Sequence, residues 1–302
     1  MDKKLMLIVN PNAGRAQARS CLMDVIQVFS DAGYATTVFS TNHSGHAPEL
    51  AKAHGGDFPI VACIGGDGTL SEVMSGVIAI PEESRPQIGY IPLGTANDMA
   101  TTLKLDRRPA HAAETIINGV PLELDVGSFN DGHFAYIAAF GAFTEVSYST
   151  PQDAKRTLGQ LAYILEGMAS LPRIVPYHTR IEFDGGSLEG DFVFGGVCNS
   201  TSVAGMMKLD PTTVGLDDGI FEIILVRNPT NMAEFGDIVN SILNMNFSNE
   251  NVILLHSKQA RFTFDQDVAW TTDGENGGAW RTVEVRNKHK AVKIIVNRED
   301  KR

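Results

Sequence analysis

The chain has 302 residues, enough for two ordinary domains, and its composition, 43% hydrophobic and 20% charged, is that of a folded globular protein. A formal charge of -11 argues against a nucleic-acid partner, which would be held by clustered Lys and Arg, and leaves only a local basic patch such as Lys155, Arg156 and Arg173 for anionic surfaces. The three cysteines, Cys21, Cys63 and Cys198, are scattered without CxxC spacing, which suggests neither a disulfide framework nor a zinc site and suits a reducing cytoplasm.

In chain order, residues 4–10 (KLMLIVN) read as a first strand rather than a signal peptide, and no apolar run reaches membrane-spanning length. Further strands are expected at 35–40, 58–64 and 87–93, with helices at 16–32, 70–80 and 109–118. This alternation is that of βαβ units on a parallel sheet, and it predicts one ligand site where the loops leave the strands' carboxyl ends. After about residue 125 the pattern changes to period-2 alternation with turns: HTRIEFDGG, GIFEIILVRN, 261–265 and 281–287. That predicts an antiparallel sandwich or barrel, interrupted by helices at 155–171 and 231–245. The strand at 291–297 fits either domain.

The loops carry the chemistry. In CIGGDGTLSE, Gly65, Gly66 and Gly68 let backbone N–H groups approach an anion, and Thr69 with Glu72 has the spacing of a capping box at a helix start. The stretch lacks the lysine of a Walker loop and the third glycine of a dinucleotide fingerprint. NPNAG (Asn10, Pro11, Asn12, Ala13, Gly14) is a turn whose amides suit a purine or phosphate. LGTAND places Thr95 toward a phosphate oxygen and starts a helix at Asn97 and Asp98. Asp67, Asp98 and the Asp125 of ELDVG would form a carboxylate cluster that requires a cation or ordered water. GLDDGIFE is either a hairpin turn or a hard-cation site at Asp218. TTDGENGG sets Asp273 and Glu275 on one turn, a pattern fitting proton acceptance in phosphoryl transfer. His43 and His46 tempt a metal reading, but without a third ligand in view they read as a helix start.

Taken together, NPNAG, GGDGT, LGTAND, DVG, DDG and DGE, in that order over nearly the whole chain, resemble the soluble bacterial diacylglycerol kinase and lipid kinase family, related to sphingosine kinases. The resemblance implies an α/β plus all-β fold. An N-terminal α/β nucleotide-binding domain of the NAD kinase and phosphofructokinase kind (1–125, with 290–302 a candidate return strand) would precede a β-sandwich lipid domain (126–289), with the active site in the cleft.

It also implies an ATP- and Mg2+-dependent kinase acting on the primary hydroxyl of diacylglycerol, cytoplasmic and peripheral at the inner membrane surface, with a homodimer left open. Nucleotide contacts would fall on Asn10 to Gly14, Thr41, Gly66, Asp67, Gly68, Thr69, Leu70, Ser71, Glu72 and Thr95. A carboxylate, water and Mg2+ network would fall on Asp67, Asp98 and Asp125, and a structural Mg2+ on Asp218 with carbonyls of Gly215 and Ile220. Asp273 would be the proton acceptor and Glu275 its helper. Where many members carry paired glycines, this chain has Met206 and Met207, a difference that bears on the lipid entrance. The alternatives are a kinase for another lipid alcohol or NAD, or a non-catalytic sensor of the same fold.

Overall fold

The computed structural model describes residues 3–142, 175–203, 207–209, 214–244, 247 and 250–298. The expected helix at 155–171, the basic Lys155, Arg156 and Arg173, and Met206 lie outside them, as does the side chain of Met207.

The first half follows β1 (Lys3–Val9), α1 (Ala13–Asp31), β2 (Tyr34–Ser40), α2 (His46–His54), β3 (Ile60–Gly65), α3 (Asp67–Ile78), β4 (Gln87–Pro92), α4 (Asp98–Thr102) and α5 (Pro109–Asn118). β2, β1, β3 and β4 pair in parallel, in that spatial order. β1, β3 and β4 are buried on both faces and apolar nearly throughout, whereas the edge strand β2 has no buried residue and mixes polar with apolar side chains. On β1, Met6 and Ile8 pack with Ala47 and Val73 of α2 and α3, whereas Leu5, Leu7 and Val9 pack with Val25 of α1 and Ala113 of α5. Two layers of helices therefore fix every loop at the carboxyl end of the sheet.

The second half is antiparallel: β5 (Val120–Phe129), β6 (Gly132–Phe134), β7 (Ile137–Gly141), β8 (Tyr177–Phe183), β9 (Gly186–Cys198), the short pair β10 (Ser202–Val203) and β11 (Met207–Lys208), β12 (Phe221–Arg227), α6 (Met232–Leu243), β13 (Val252–Ser257), β14 (Gln259–Thr272) and β15 (Glu275–Val296). Its core is aromatic. Trp270 is surrounded by Phe129, Phe140, Phe262 and Phe264 with ring centroids 4.9–6.2 Å apart, and each such ring contributes roughly 1.5–3 kcal/mol on burial.

Two expected strands, 281–287 and 291–297, are one. β15 runs for 22 residues, bending where its register with β5 shifts between Lys288 and Val292, at Lys290 with φ +51°. Its first part pairs with β14, and near its end Ile294 sits opposite Ile88 of β4 in parallel. One strand thus joins the sandwich to the parallel sheet and holds the turn at its start against the loops of the first half.

Candidate active site

The carboxyl ends of β1, β2, β3 and β4 converge, and close backbone approach holds them together. A Cβ on Gly94 would lie 2.6 Å from the Cα of Gly66, and one on Gly14, at φ +59°, would lie 2.8 Å from Leu93 Cγ. The Leu93 N–H donates to the Gly65 carbonyl (2.6 Å), the Thr41 N–H to the Val9 carbonyl (2.9 Å), and Asn10 Nδ2 to Thr69 Oγ1 (3.3 Å). The segments 10–14, 41, 66–72 and 94–98 are therefore neighbours. Thr95 is exposed on this rim.

The phosphate-loop helix differs from its sequence reading. α3 begins at Asp67, so Thr69 lies within its first turn and no side chain caps it. Glu72 does not close a capping box; its Oε1 accepts the N–H of Gly45, which precedes α2 (2.8 Å). The first N–H groups of α3 consequently have no side-chain cap, and a helix start of this kind favours an anion.

Asp67 serves the neighbouring helix. Its two carboxylate oxygens accept the N–H groups of Asp98 (2.9 Å) and Met99 (3.1 Å), the first residues of α4. Asn97, at φ +53°, has no side-chain cap bond to α4; its amide instead closes on Gly94, accepting that N–H at 2.8 Å and donating to its carbonyl at 2.9 Å. Burial pushes Asp67 up to about 6, with the charges of Asp98 and Asp273 adding to the rise and the two N–H bonds opposing it.

Asp125 is held by a different set of donors. Fully buried in β5, it accepts from the N–H of Gly219 (2.6 Å) at Oδ2, and from the N–H of Lys290 (2.7 Å) and His289 Nδ1 (3.0 Å) at Oδ1. It ties the 215–220 segment to the bend of β15. Asp125 thus stands among donors of the 215–220 segment and of β15, while the charges of Asp98 and Asp273 act on Asp67.

Asp273 and Gly274, at φ +52° and +83°, make the two-residue turn between β14 and β15, the left-handed pair that an Asp-Gly hairpin prefers. The Asp273 carboxylate turns inward, 4% exposed. It accepts the N–H groups of Ala135 (2.6 Å), Tyr136 (2.9 Å) and Ile137 (3.0 Å) and a hydrogen bond from the Ser71 hydroxyl of α3. Burial nonetheless raises its pKa, the direction a proton acceptor requires. Glu275 faces the first turn of α3, its Oε1 3.0 Å from a Cβ placed on Gly68. The DGE turn therefore meets the start of the phosphate-loop helix, some two hundred residues earlier in sequence.

Tyr136 was not legible as a site residue. It is 5% exposed, the charges of Asp273, Asp67, Asp98 and Glu275 act on its phenol, and burial with those charges keeps it protonated. Nothing in the local text FAYIAAF distinguishes it from core.

At the second expected cation position, Asp218 Oδ1 accepts the Ile220 N–H (2.9 Å), while Oδ2 lies 2.3 Å from where a Cβ on Gly215 would stand. Only glycine leaves room for that carboxylate, and an all-oxygen donor set of Asp218 with the Gly215 and Ile220 carbonyls suits Mg2+. The carboxylates of Asp67 and Asp98 suit the same hard ion.

A two-domain α/β and β-sandwich protein with an open helix start facing buried carboxylates has the parts of a phosphoryl-transfer enzyme. Residues 4–129 match the diacylglycerol kinase catalytic domain, and residues 139–296 match the YegS C-terminal NAD kinase beta sandwich-like domain. The chain is 34% identical over 300 residues to a diacylglycerol kinase of Bacillus subtilis, covering 98% of this chain and 97% of that protein. It is likewise 34% identical over 280 residues to a diacylglycerol kinase of Staphylococcus aureus, covering 92% of this chain and 88% of the other. A crystal structure of a diacylglycerol kinase from Bacillus anthracis superposes with a TM-score of 0.76 at 25% identity, covering 98% and 97% of the two chains. The chain belongs to the diacylglycerol kinase family of lipid kinases. Among the described residues no helix is long and apolar enough to cross a membrane.

Proposed function

We propose that the protein transfers the γ-phosphoryl group of ATP to the primary hydroxyl of diacylglycerol, giving phosphatidic acid at a membrane surface that it meets peripherally. The observation that carries this reading is the placement of Asp273 against Ser71 and of Glu275 against Gly68, so that a buried carboxylate stands beside the uncapped start of the phosphate-loop helix. A nucleotide's phosphates fit the N-terminus of α3 and the glycine crossing of the 66 and 94 loops, with Asn10 to Gly14 and Thr41 bordering them.

Asp273 takes the acceptor hydroxyl's proton as the new O–P bond forms and the bond to ADP breaks. Glu275 and Tyr136 orient that hydroxyl. Asp67 and Asp98 would hold Mg2+, which would neutralise phosphate charge when bound. Diacylglycerol is favoured as acceptor by the names of the relatives across nearly the whole chain.

The test is transfer of label from γ-labelled ATP, with Mg2+, to a panel of lipids in mixed micelles and to NAD. Label on diacylglycerol is the expected result. Label on another lipid or on NAD replaces the acceptor, and ATP binding without transfer to any of them overturns the kinase reading in favour of a sensor.

A further inference from the structure

His43 and His46 stand where β2 leads into α2, and the fold gives them the partner that sequence spacing did not reveal. Their rings stack with centroids 4.8 Å apart. Glu49, one turn further along α2, brings a carboxylate to the same side, and one donor atom from each of the three residues lies within 4.8 Å of the others. Among the described residues this is the one group of three or more His, Cys, Asp or Glu side chains so gathered.

The surroundings favour metal binding at His43. Its Nδ1–H donates to the Ser44 carbonyl (2.8 Å), which fixes the tautomer with the Nε2 lone pair free, the arrangement that backbone carbonyls commonly impose on ligating imidazoles. His46 accepts the Asn42 N–H at Nδ1 (3.3 Å). That long bond would be released when Nε2 takes an ion, because the ring proton then moves to Nδ1.

We propose that His43, His46 and Glu49 form a site for a divalent transition ion of the Zn2+ type, distinct from the oxygen-ligand positions suited to Mg2+. Two imidazoles and a carboxylate are a borderline-soft donor set, which Mg2+ does not prefer. Bonds of about 2.1 Å in tetrahedral geometry place donor atoms roughly 3.4 Å apart. The side chains must therefore close inward on binding, and the exposed His43 and Glu49 are free to do so. The site leaves a coordination position open to solvent. It also sits beside the phosphate-loop helix, since the Gly45 N–H between the two histidines is bound by Glu72 of α3.

The experiment uses tag-free, metal-stripped full-length protein titrated with Co2+, followed by visible absorption and by calorimetry with Zn2+ in competition. The expected result is one Co2+ per chain, displaced by Zn2+ and not by millimolar Mg2+, with affinity reduced roughly tenfold or more in His43→Ala and in His46→Ala. Glu49→Gln should weaken it as well. Absence of the absorption band, or a band that persists in the His43→Ala/His46→Ala double variant, overturns the proposal. Should either variant fail to fold, Co2+ broadening of the His43 and His46 ring resonances in the unaltered protein decides the matter, and sharp, unshifted rings refute the site. None of these readouts depends on kinase turnover.

Discussion

Gly66 and Gly94 touch through their backbones: a Cβ on Gly94 would stand 2.6 Å from the Gly66 Cα, with no room for it, and one on Gly66 would stand in tight contact, 3.1 Å from the Gly94 Cα. This contact brings the third and fourth loops of the sheet into one surface at the start of α3. Gly94→Ala should push the loops apart, with Asn97 Oδ1, 2.7 Å from the new methyl, displaced too. The expected outcome is a stability loss of about 1–3 kcal/mol and weaker ATP binding, read by denaturant unfolding and calorimetry. Unchanged values of both would show that the two loops do not need each other.

Asp273→Asn should lower turnover roughly 100-fold or more, within the range for loss of a general base. The substitution also replaces one carboxylate oxygen by an NH2 donor facing backbone N–H groups, so thermal unfolding must accompany the kinetics. Ser71→Ala separates the two effects. The Ser71 hydroxyl lowers the Asp273 pKa, so its removal should move the acid limb of the kcat profile to higher pH. A limb that stays in place would assign that limb to another group.

The parallel half of the fold was legible because strands buried on both faces are written as apolar runs, and its loops because glycine appears where backbones must cross. The 109–118 helix is reproduced residue for residue. The start of α3 was misread since Thr69 and Glu72 carry capping-box spacing but find their partners in Asn10 and Gly45, which only the tertiary fold supplies. Asp67 looked like an ion ligand alone. That it also caps α4 depends on two loops meeting, a non-local fact. The continuity of β15 was hidden by the polar run NKHK between the two expected strands, which is a bend held by Asp125.

Asp125→Asn tests how far the role of that residue is structural. An amide cannot accept all three donors, from Gly219, Lys290 and His289, so a loss of about 1–3 kcal/mol is expected for a buried group left mispaired. The Mg2+ dependence of the residual activity should match that of the unaltered enzyme. A selective rise in the Mg2+ concentration required, without loss of stability, would place Asp125 in the expected carboxylate and Mg2+ network.

Glu222 is expected to contribute a stability that falls as pH rises. It lies 2% exposed in β12 with Oε2 lacking a hydrogen-bond partner, and burial, with the charge of Asp218, pushes its pKa from 4.5 up to about 8. The folded state therefore holds this proton over a range in which the unfolded chain has released it. Native binding of more protons than the unfolded state makes the unfolding free energy decline with pH. The decline from this group should begin near pH 4.5 and level off above about pH 8. Glu222→Gln, which carries the protonated shape at every pH, removes the effect, so the difference between the two proteins should shift in the variant's favour by about 1 kcal/mol or more across the window. Urea unfolding at half-unit pH steps, with chelator present so that no ion at Asp218 contributes, measures it. Parallel stability curves for the two proteins would mean that Glu222 titrates alike in the folded and unfolded chain.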